Sequence, residues 1–361
     1  MKFINQIEPL IEKEEILAVS NYLNSGGWLT EFKETEKFEK LICETLDVKF
    51  ASVVNNGTIS LSIALLALGL KSGDEVIVPN LTMIASPNSC TLLGIKPILV
   101  DVNEEDLCLD FDEMLKKITH KTKAIMYVSL NGRGKYIKKF KEFCEGNKLF
   151  LIEDAAQSFG SKVNDKFLGT FGDIGSFSFS PHKIITTGQG GAIVTNDDKL
   201  FENIERIKDF GRLEGGVDIH DYFGINSKFT DLQAVIGIEQ IKKINSRIEK
   251  KKNIYRMYEK YLCGKDKIRM IPTDLNQTCP WFVDIYVKDP DRLQKFLKDN
   301  GIGSRRIYPP IHKQKIFNLN ESFPVSEKYC SEGLWLPSSL TITDDEIKYI
   351  CEKVINFCEE D

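Results

Sequence analysis

Cysteine and histidine spacings that could hold a structural metal are missing from this sequence. It has nine cysteines but no C-x-x-C pair, and only four histidines, none four residues from another. An odd cysteine count without paired spacing fits free, buried thiols in a reducing cytosol better than a disulfide framework or a zinc knuckle. An excess of positive charge is also missing: 48 Lys and Arg stand against 53 Asp and Glu, a net of −5. That balance offers no general field for a nucleic-acid backbone, although a local basic patch stays open. No apolar run reaches the ~18 residues of a membrane helix. The start, Met1-Lys2-Phe3-Ile4-Asn5-Gln6-Ile7-Glu8, turns acidic too early for a signal peptide, so the expected setting is the cytoplasm. There is no internal repeat and no low-complexity stretch. With 42% hydrophobic and 28% charged residues, the composition excludes disorder and fibre. The 361 residues suffice for a sizeable core and predict two or three domains, or one large α/β domain with an appendage.

What is present between residues 50 and 200 is an alternation of short apolar runs with amphipathic segments. Strands are predicted at Glu75–Pro79, Lys96–Asp101, Ala124–Leu130, Leu149–Asp154, Ile174–Ser180 and Gly191–Asn196. Several lack polar alternation, which suits a sheet buried on both faces. Helices are predicted at Ile59–Leu68 and Ile137–Glu145. Strand and helix in turn imply an open, mainly parallel α/β sheet in three layers, with ligands beyond the carboxyl ends of its strands. One long helical pattern runs from Thr230 to about Leu262, and its basic middle, Lys250-Lys251-Lys252, reads as a solvated face. A strand (Trp281–Val287), a helix (Asp291–Asn300) and a last helix (Asp344–Phe357) predict a smaller α+β domain. The division is placed at 1–250 and 251–361.

Three elements could carry chemistry. Asn55-Asn56-Gly57-Thr58 directly precedes the helix at Ile59. Such a turn offers unpaired amides and the positive end of a helix dipole to an anion, or it is simply a cap, for which Thr is favoured. Phe150 to Gln157 is an apolar strand ending in two carboxylates, Glu153 and Asp154. These fit a site or a cap for a following helix. The segment Gly175–Gly191 leads from alternating Ser and Phe into a loop with Lys183, then into a Gly-rich turn. Partial burial would lower the pKa of that lysine and make it a nucleophile, with His182 as the competing candidate. Together, a phosphate cradle, a carboxylate and an amine are the three handles that pyridoxal phosphate requires.

With those residues in view, the chain resembles the sugar aminotransferases of the DegT/DnrJ/EryC family, which have the fold-type I, aspartate-aminotransferase-like architecture. The likeness is carried by Asn56-Gly57-Thr58, Gly73 to Pro79, Glu153 to Gln157, Phe177-Ser178-Phe179 with Lys183 and Thr186-Thr187-Gly188, Asp231 to Ala234, Ser304-Arg305, and Tyr308 to His312. It runs from Gly26-Gly27-Trp28 to Leu334–Pro337. The resemblance implies pyridoxal 5′-phosphate as cofactor. Lys183 would form the internal aldimine and move the proton, Asp154 would pair with the pyridinium nitrogen, and Gln157 would lie beside the ring. Gly57, Thr58 and Ser178 would hold the phosphate, and Asn226 would reach the cofactor of a partner subunit, implying a homodimer. Trp28, Arg305, Tyr308 and His312 become substrate candidates, with Arg306 beside Arg305 as a second phosphate contact.

The sequence also departs from that pattern. Met83 stands where an aromatic side chain usually stacks on the ring, Gln189 where Glu is frequent, Lys228 where Arg is frequent, and Ser129-Leu130-Asn131-Gly132 replaces a His-Leu-Tyr-Gly stretch. One branch of the family carries histidine in the lysine slot and works as a dehydratase. Counting from Phe177-Ser178-Phe179, however, the slot falls on Lys183 and not on His182. The expected reaction is therefore transfer of an amino group from glutamate to the keto group of a nucleotide-linked deoxysugar. A smaller phosphorylated ketone is the alternative acceptor, and a non-catalytic regulatory relative the alternative from another class.

Overall fold

The computed structural model describes residues 3–360; Met1 and Lys2, at the start read for a leader, and Asp361 lie outside them. Twelve strands occur among these residues: β1 (Phe50–Val54), β2 (Glu75–Pro79), β3 (Lys96–Val100), β4 (Thr122–Val128), β5 (Phe150–Asp154), β6 (Lys162–Val163), β7 (Lys166–Phe167), β8 (Ile174–Ser178), β9 (Gly191–Thr195), β10 (Val283–Tyr286), β11 (Arg305–Arg306) and β12 (Gly333–Leu336). Seven of them form one sheet in the order β1-β9-β8-β5-β4-β2-β3. All pairings from β8 through β3 are parallel, whereas β9 runs antiparallel to both β8 and β1. The six strands read in this region are present, and β1 joins them as a seventh.

The apolar runs explain the layers. Side chains of successive strand residues point to opposite faces. Ile77, Ile125, Tyr127 and Leu151 pack on one face with Met114, Phe140 and Cys144 from the helices Phe111–Lys117 and Ile137–Asn147. Val76, Val78, Met126, Ile152 and Ile193 pack on the other with Leu61, Ile63, Ala64 and Ile204 from the helices Gly57–Ala67 and Asp198–Lys208. With helices on both faces, no strand position in the middle of the sheet needs to be polar.

A second, antiparallel sheet of order β10-β12-β11 packs with the helices Pro290–Asp299 and Asp344–Glu360 and the end of the helix Ile244–Leu262 in a core of its own. Two expectations need correction. The pattern from Thr230 to Leu262 is two helices, Asp231–Lys242 and Ile244–Leu262, broken at Lys243 (φ −97°, ψ 4°). No Gly or Pro announces the break; Lys243 Nζ is instead drawn to Glu12, Glu14 and Glu15 at 2.9–3.0 Å. Nor is the lysine run a solvated face throughout. Lys251 is buried, and its Nζ donates to the carbonyls of Trp281 and Ser338, both at 2.7 Å.

All nine cysteines are free, seven of them buried, with Cys43 half-buried and Cys263 exposed. Among the described residues, no helix is long and apolar enough to cross a membrane.

Candidate active site

The parallel strands end together. Val128 pairs with Asp154, Asp154 with Ser176, Ser178 with Gly191, and Gly191 with Val54. The carboxyl ends of β1, β5 and β8 therefore lie level on one edge, and the loops leaving them meet there. They enclose a cavity of about 530 Å³ lined by Gly57, Thr58, Met83, Asp154, Gln157, Ser178, Lys183 and Tyr308, together with Asn55, Asn56, Leu61, Ala85, Ala156, Ser180, His182 and Gln189.

The anion cradle is built by a cap, though not by the residue expected. Asn56 is extended, and its Oδ1 accepts the amide of Ile59 at 2.9 Å. The helix accordingly starts at Gly57, and Thr58 is its second residue rather than its cap. The Gly57 and Thr58 amides have no acceptor within the helix, and both residues line the cavity at the positive end of the dipole. Two glycines permit the close approach. A Cβ at Gly57 would come within 2.9 Å of the Ser178 Cβ, and one at Gly191 within 2.7 Å of the Asn56 carbonyl.

The two carboxylates at the end of β5 have separate tasks. Glu153 is fully buried and accepts the amides of Gly169, Phe171 and Gly172 at 2.7, 2.5 and 2.7 Å, clamping a loop. Burial pushes its pKa up to about 7. Asp154 faces the cavity. Its Oδ2 accepts the Ser86 hydroxyl at 2.7 Å and its Oδ1 the Ala156 amide at 3.2 Å. Burial raises its pKa, while Ser86, Ala156 and the charge of Lys183 oppose the rise. Ser86 was not among the residues singled out from sequence. Its signal was position, since it follows the carboxyl end of β2 by seven residues.

Lys183 is half-buried against the cavity. The surrounding protein pushes its amine down to about 7, opposed by Asp154 and aided by the positive Arg305. His182 is pushed down to about 4 by burial first, then by Lys183 and Arg305, and is neutral at pH 7. Burial also raises the Tyr308 hydroxyl pKa.

Gln157 Oε1 accepts the amide of Asn131, which adopts a left-handed conformation (φ +56°). The Asn131 side chain in turn donates to the Phe282 carbonyl and to Asp284, and accepts the Phe282 amide at 2.6 Å. Arg133 adds a buried two-pronged contact to Asp284 at 2.9 and 2.6 Å. The altered 129–132 stretch is thus a peg between the cavity loop and β10.

Other candidates lie outside the lining. Trp28 is 66% exposed. Asn226 is exposed, on a segment paired with Asp209. His312 is buried, with Nδ1 2.9 Å from Asn80 Nδ2 and Nε2 3.3 Å from Glu327. Arg305 is exposed, its guanidinium 5.7 and 5.6 Å from the Tyr308 and Trp335 rings. Arg306 does not share that freedom: it donates to the carbonyls of Gly333, Cys330 and Ser331 and pairs with Asp291, so its place is structural. Lys228, one of the departures, pairs with Asp209 at 2.7 Å.

Comparison with known proteins decides what this arrangement belongs to. The model of the DegT/DnrJ/EryC1/StrS aminotransferase family matches residues 9–355. This chain belongs to that family. A GDP-perosamine synthase of Escherichia coli O157:H7 is 36% identical to it over 361 residues, covering 99% of each chain. The dTDP-3-amino-3,6-dideoxy-alpha-D-galactopyranose transaminase of Aneurinibacillus thermoaerophilus is 32% identical, covering 97% of each. The solved structure of NtdA from Bacillus subtilis, with its cofactor PMP bound, superposes with a TM-score of 0.90 at 29% identity, over 97% of this chain and 83% of that one. Members of the DegT/DnrJ/EryC1/StrS family are transaminases that depend on pyridoxal 5′-phosphate, and this chain is an aminotransferase of that type with the fold-type I architecture. The cavity fits such a group by its own chemistry: a helix start brought close to Ser178 as only glycine allows, a buried acid, and an amine depressed toward neutrality.

Proposed function

We propose that this chain transfers the amino group of glutamate to the keto group of a nucleotide-linked deoxysugar, as a cytoplasmic homodimer. The observation that carries the reading is that Lys183 and Asp154 line one cavity with the amide cradle at Gly57 and Thr58. The likeness to the GDP-perosamine synthase supports a nucleotide sugar as acceptor, and a cavity of this volume falls within the usual range for small-molecule sites.

When bound, pyridoxal phosphate supplies a carbonyl that takes up an amine and a protonated ring that draws electrons from the adjoining carbon. The Gly57 and Thr58 amides and the Ser178 hydroxyl would hold its phosphate. Asp154, held by the Ser86 hydroxyl and the Ala156 amide, would hold the proton on the ring nitrogen. Gln157 would sit beside the ring, and Met83 would cover one face through its thioether. Lys183 would hold the carbonyl. Once released as a neutral amine, it would take the proton from the substrate carbon and return it, since an amine near pKa 7 serves in both directions at neutral pH. Arg305, with Tyr308, would meet the phosphate of the acceptor from the 251–361 part of the chain, and the 1–250 part would hold the cofactor. Asn226, outside the cavity of its own subunit, would reach the partner's cofactor.

The test is to incubate the purified protein with glutamate and a panel of GDP- and dTDP-linked keto-deoxysugars and small keto-phosphates, and to follow 2-oxoglutarate. Formation with a nucleotide sugar, abolished in Lys183→Ala, is expected. Turnover confined to keto-phosphates would overturn the acceptor, and no 2-oxoglutarate from any ketone would overturn the reading.

A further inference from the structure

The aminotransferase reading assigns nothing to Trp281, yet its ring lies against the amine that reading depends on. Trp281 lies just before β10, far along the chain from the Lys183 loop that it touches. It is buried, and the centroid of its indole ring lies 4.1 Å from Lys183 Nζ. Its Nε1–H donates to the carbonyl of His182, the residue preceding Lys183, at 2.8 Å. One side chain therefore touches both ends of the lysine: the backbone from which it springs and the nitrogen at its tip.

Trp281 is itself held from several directions. Its carbonyl accepts the buried ammonium of Lys251 at 2.7 Å, and that ammonium is fixed on its far side by Ser338. The amide of the next residue, Phe282, is held by Asn131, whose own amide is held by Gln157. The ring stacks on Phe282 at 3.8 Å and meets Trp335 edge-on at 5.7 Å. A side chain braced in this way has little freedom to move when the amine does.

We propose that Trp281 is a positioning residue for Lys183: its indole N–H fixes the loop backbone, and its ring face bears on the amine and favours its charged form. The face of an indole attracts an ammonium and leaves a neutral amine nearly indifferent. The ring consequently opposes the burial that drives the amine's proton off, alongside Asp154 and against Arg305, with the His182 imidazole and the Tyr308 hydroxyl as the other titratable groups at this place. The braces at Lys251 and Asn131 exist, in this view, to hold that ring.

The inference rests on the proposed function, and two substitutions separate them. Trp281→Phe keeps a ring face and removes the N–H; Trp281→Leu removes both while keeping the site apolar. The readout is the rate at which yellow absorbance appears when pyridoxal 5′-phosphate is added to the cofactor-stripped chain, measured from pH 5 to 10. That rate follows the fraction of neutral amine and does not require an acceptor. In the Leu variant its pH midpoint is expected to fall by about 0.5–1 unit, the size of a partly buried cation–π contact. In the Phe variant the midpoint is expected to stay near the native value while the plateau rate falls severalfold, because the His182 carbonyl is no longer held. A native pH midpoint in both folded variants, or equal shifts in both, overturns the role of Trp281. If the native chain itself develops no colour, the proposed function fails and the inference falls with it.

Discussion

Two lysines whose amines lose water to the surrounding protein, Lys183 and Lys208, show that burial alone does not make a nucleophile. Lys208 is 2% exposed and lies 3.2–3.3 Å from carboxylate oxygens of Glu31, Glu39 and Glu205. Burial would strip its proton, but three acids overrule burial, and its pKa rises above the ordinary value. Lys183 has one acid, Asp154, and a rival cation, Arg305, and its amine falls to about 7. Lys251, between two neutral carbonyls, falls to about 8. What differs is the number of negative charges within reach. The amine proposed to do the chemistry is kept short of partners, and the structural one is given three.

That contrast can be broken by experiment. The largest effect is expected from Lys183→Met, which should cut turnover by about 10²–10⁴-fold or more while leaving the urea midpoint unchanged or higher. A variant that kept its turnover would remove Lys183 from the chemistry. Lys208→Met should do the reverse. Left without their cation, Glu31, Glu39 and Glu205 would repel one another, with an expected loss of about 3 kcal/mol in urea unfolding and little change in the rate per folded molecule. An unchanged midpoint would mean that the cluster contributes nothing.

The pH dependence sharpens the comparison. For Lys183 the folded value, about 7, lies below the ordinary 10.5, so the unfolded chain binds more protons between those limits. The cofactor-free protein should therefore gain stability as pH rises from 7 toward 10.5, by up to about 1.4 kcal/mol per unit, relative to Lys183→Met. Lys208 has the opposite sign: its contribution is complete below the ordinary lysine value and is lost only as pH climbs through its raised folded value. Thermal melts of both methionine variants across pH 6–10 would show whether the two slopes differ. The smallest effect is expected from Ser86→Ala. It removes one hydrogen bond from a buried carboxylate, which at about 1.5–3 kcal/mol predicts a ~10- to 100-fold weaker hold on the cofactor, read by equilibrium titration with near-native stability. Unaltered affinity would leave Asp154 sufficiently held by the Ala156 amide alone.

The residues with cavity roles were largely legible because they sit where chain geometry must put them. Asp154 ends an apolar run, Gly57 and Thr58 open a helix, and Lys183 lies in a loop between two short strands, so strand polarity alone sends all of them to one edge. The braces were not legible. Ser86, Asn131 and Trp281 act through contacts across 68, 151 and 99 residues of chain respectively, and no local pattern marks such distances. Arg305 and Arg306 make the same point in miniature. They are adjacent and chemically identical, yet opposite sides of β11 leave one exposed and tie the other to three carbonyls.

Periodicity, composition and the order of small, acidic and basic residues by themselves determined the layered parallel sheet, the edge where the cavity opens and the kinds of side chain gathered there. These depend on near neighbours in the chain, where side-chain period and strand direction leave few choices. Only the tertiary structure decided which lysine is poised and which is pinned, that Lys251 is buried, and that the helix breaks at Lys243. Those outcomes depend on charges and carbonyls brought from far along the chain, and electrostatic energy in a dry interior is set by distance in space.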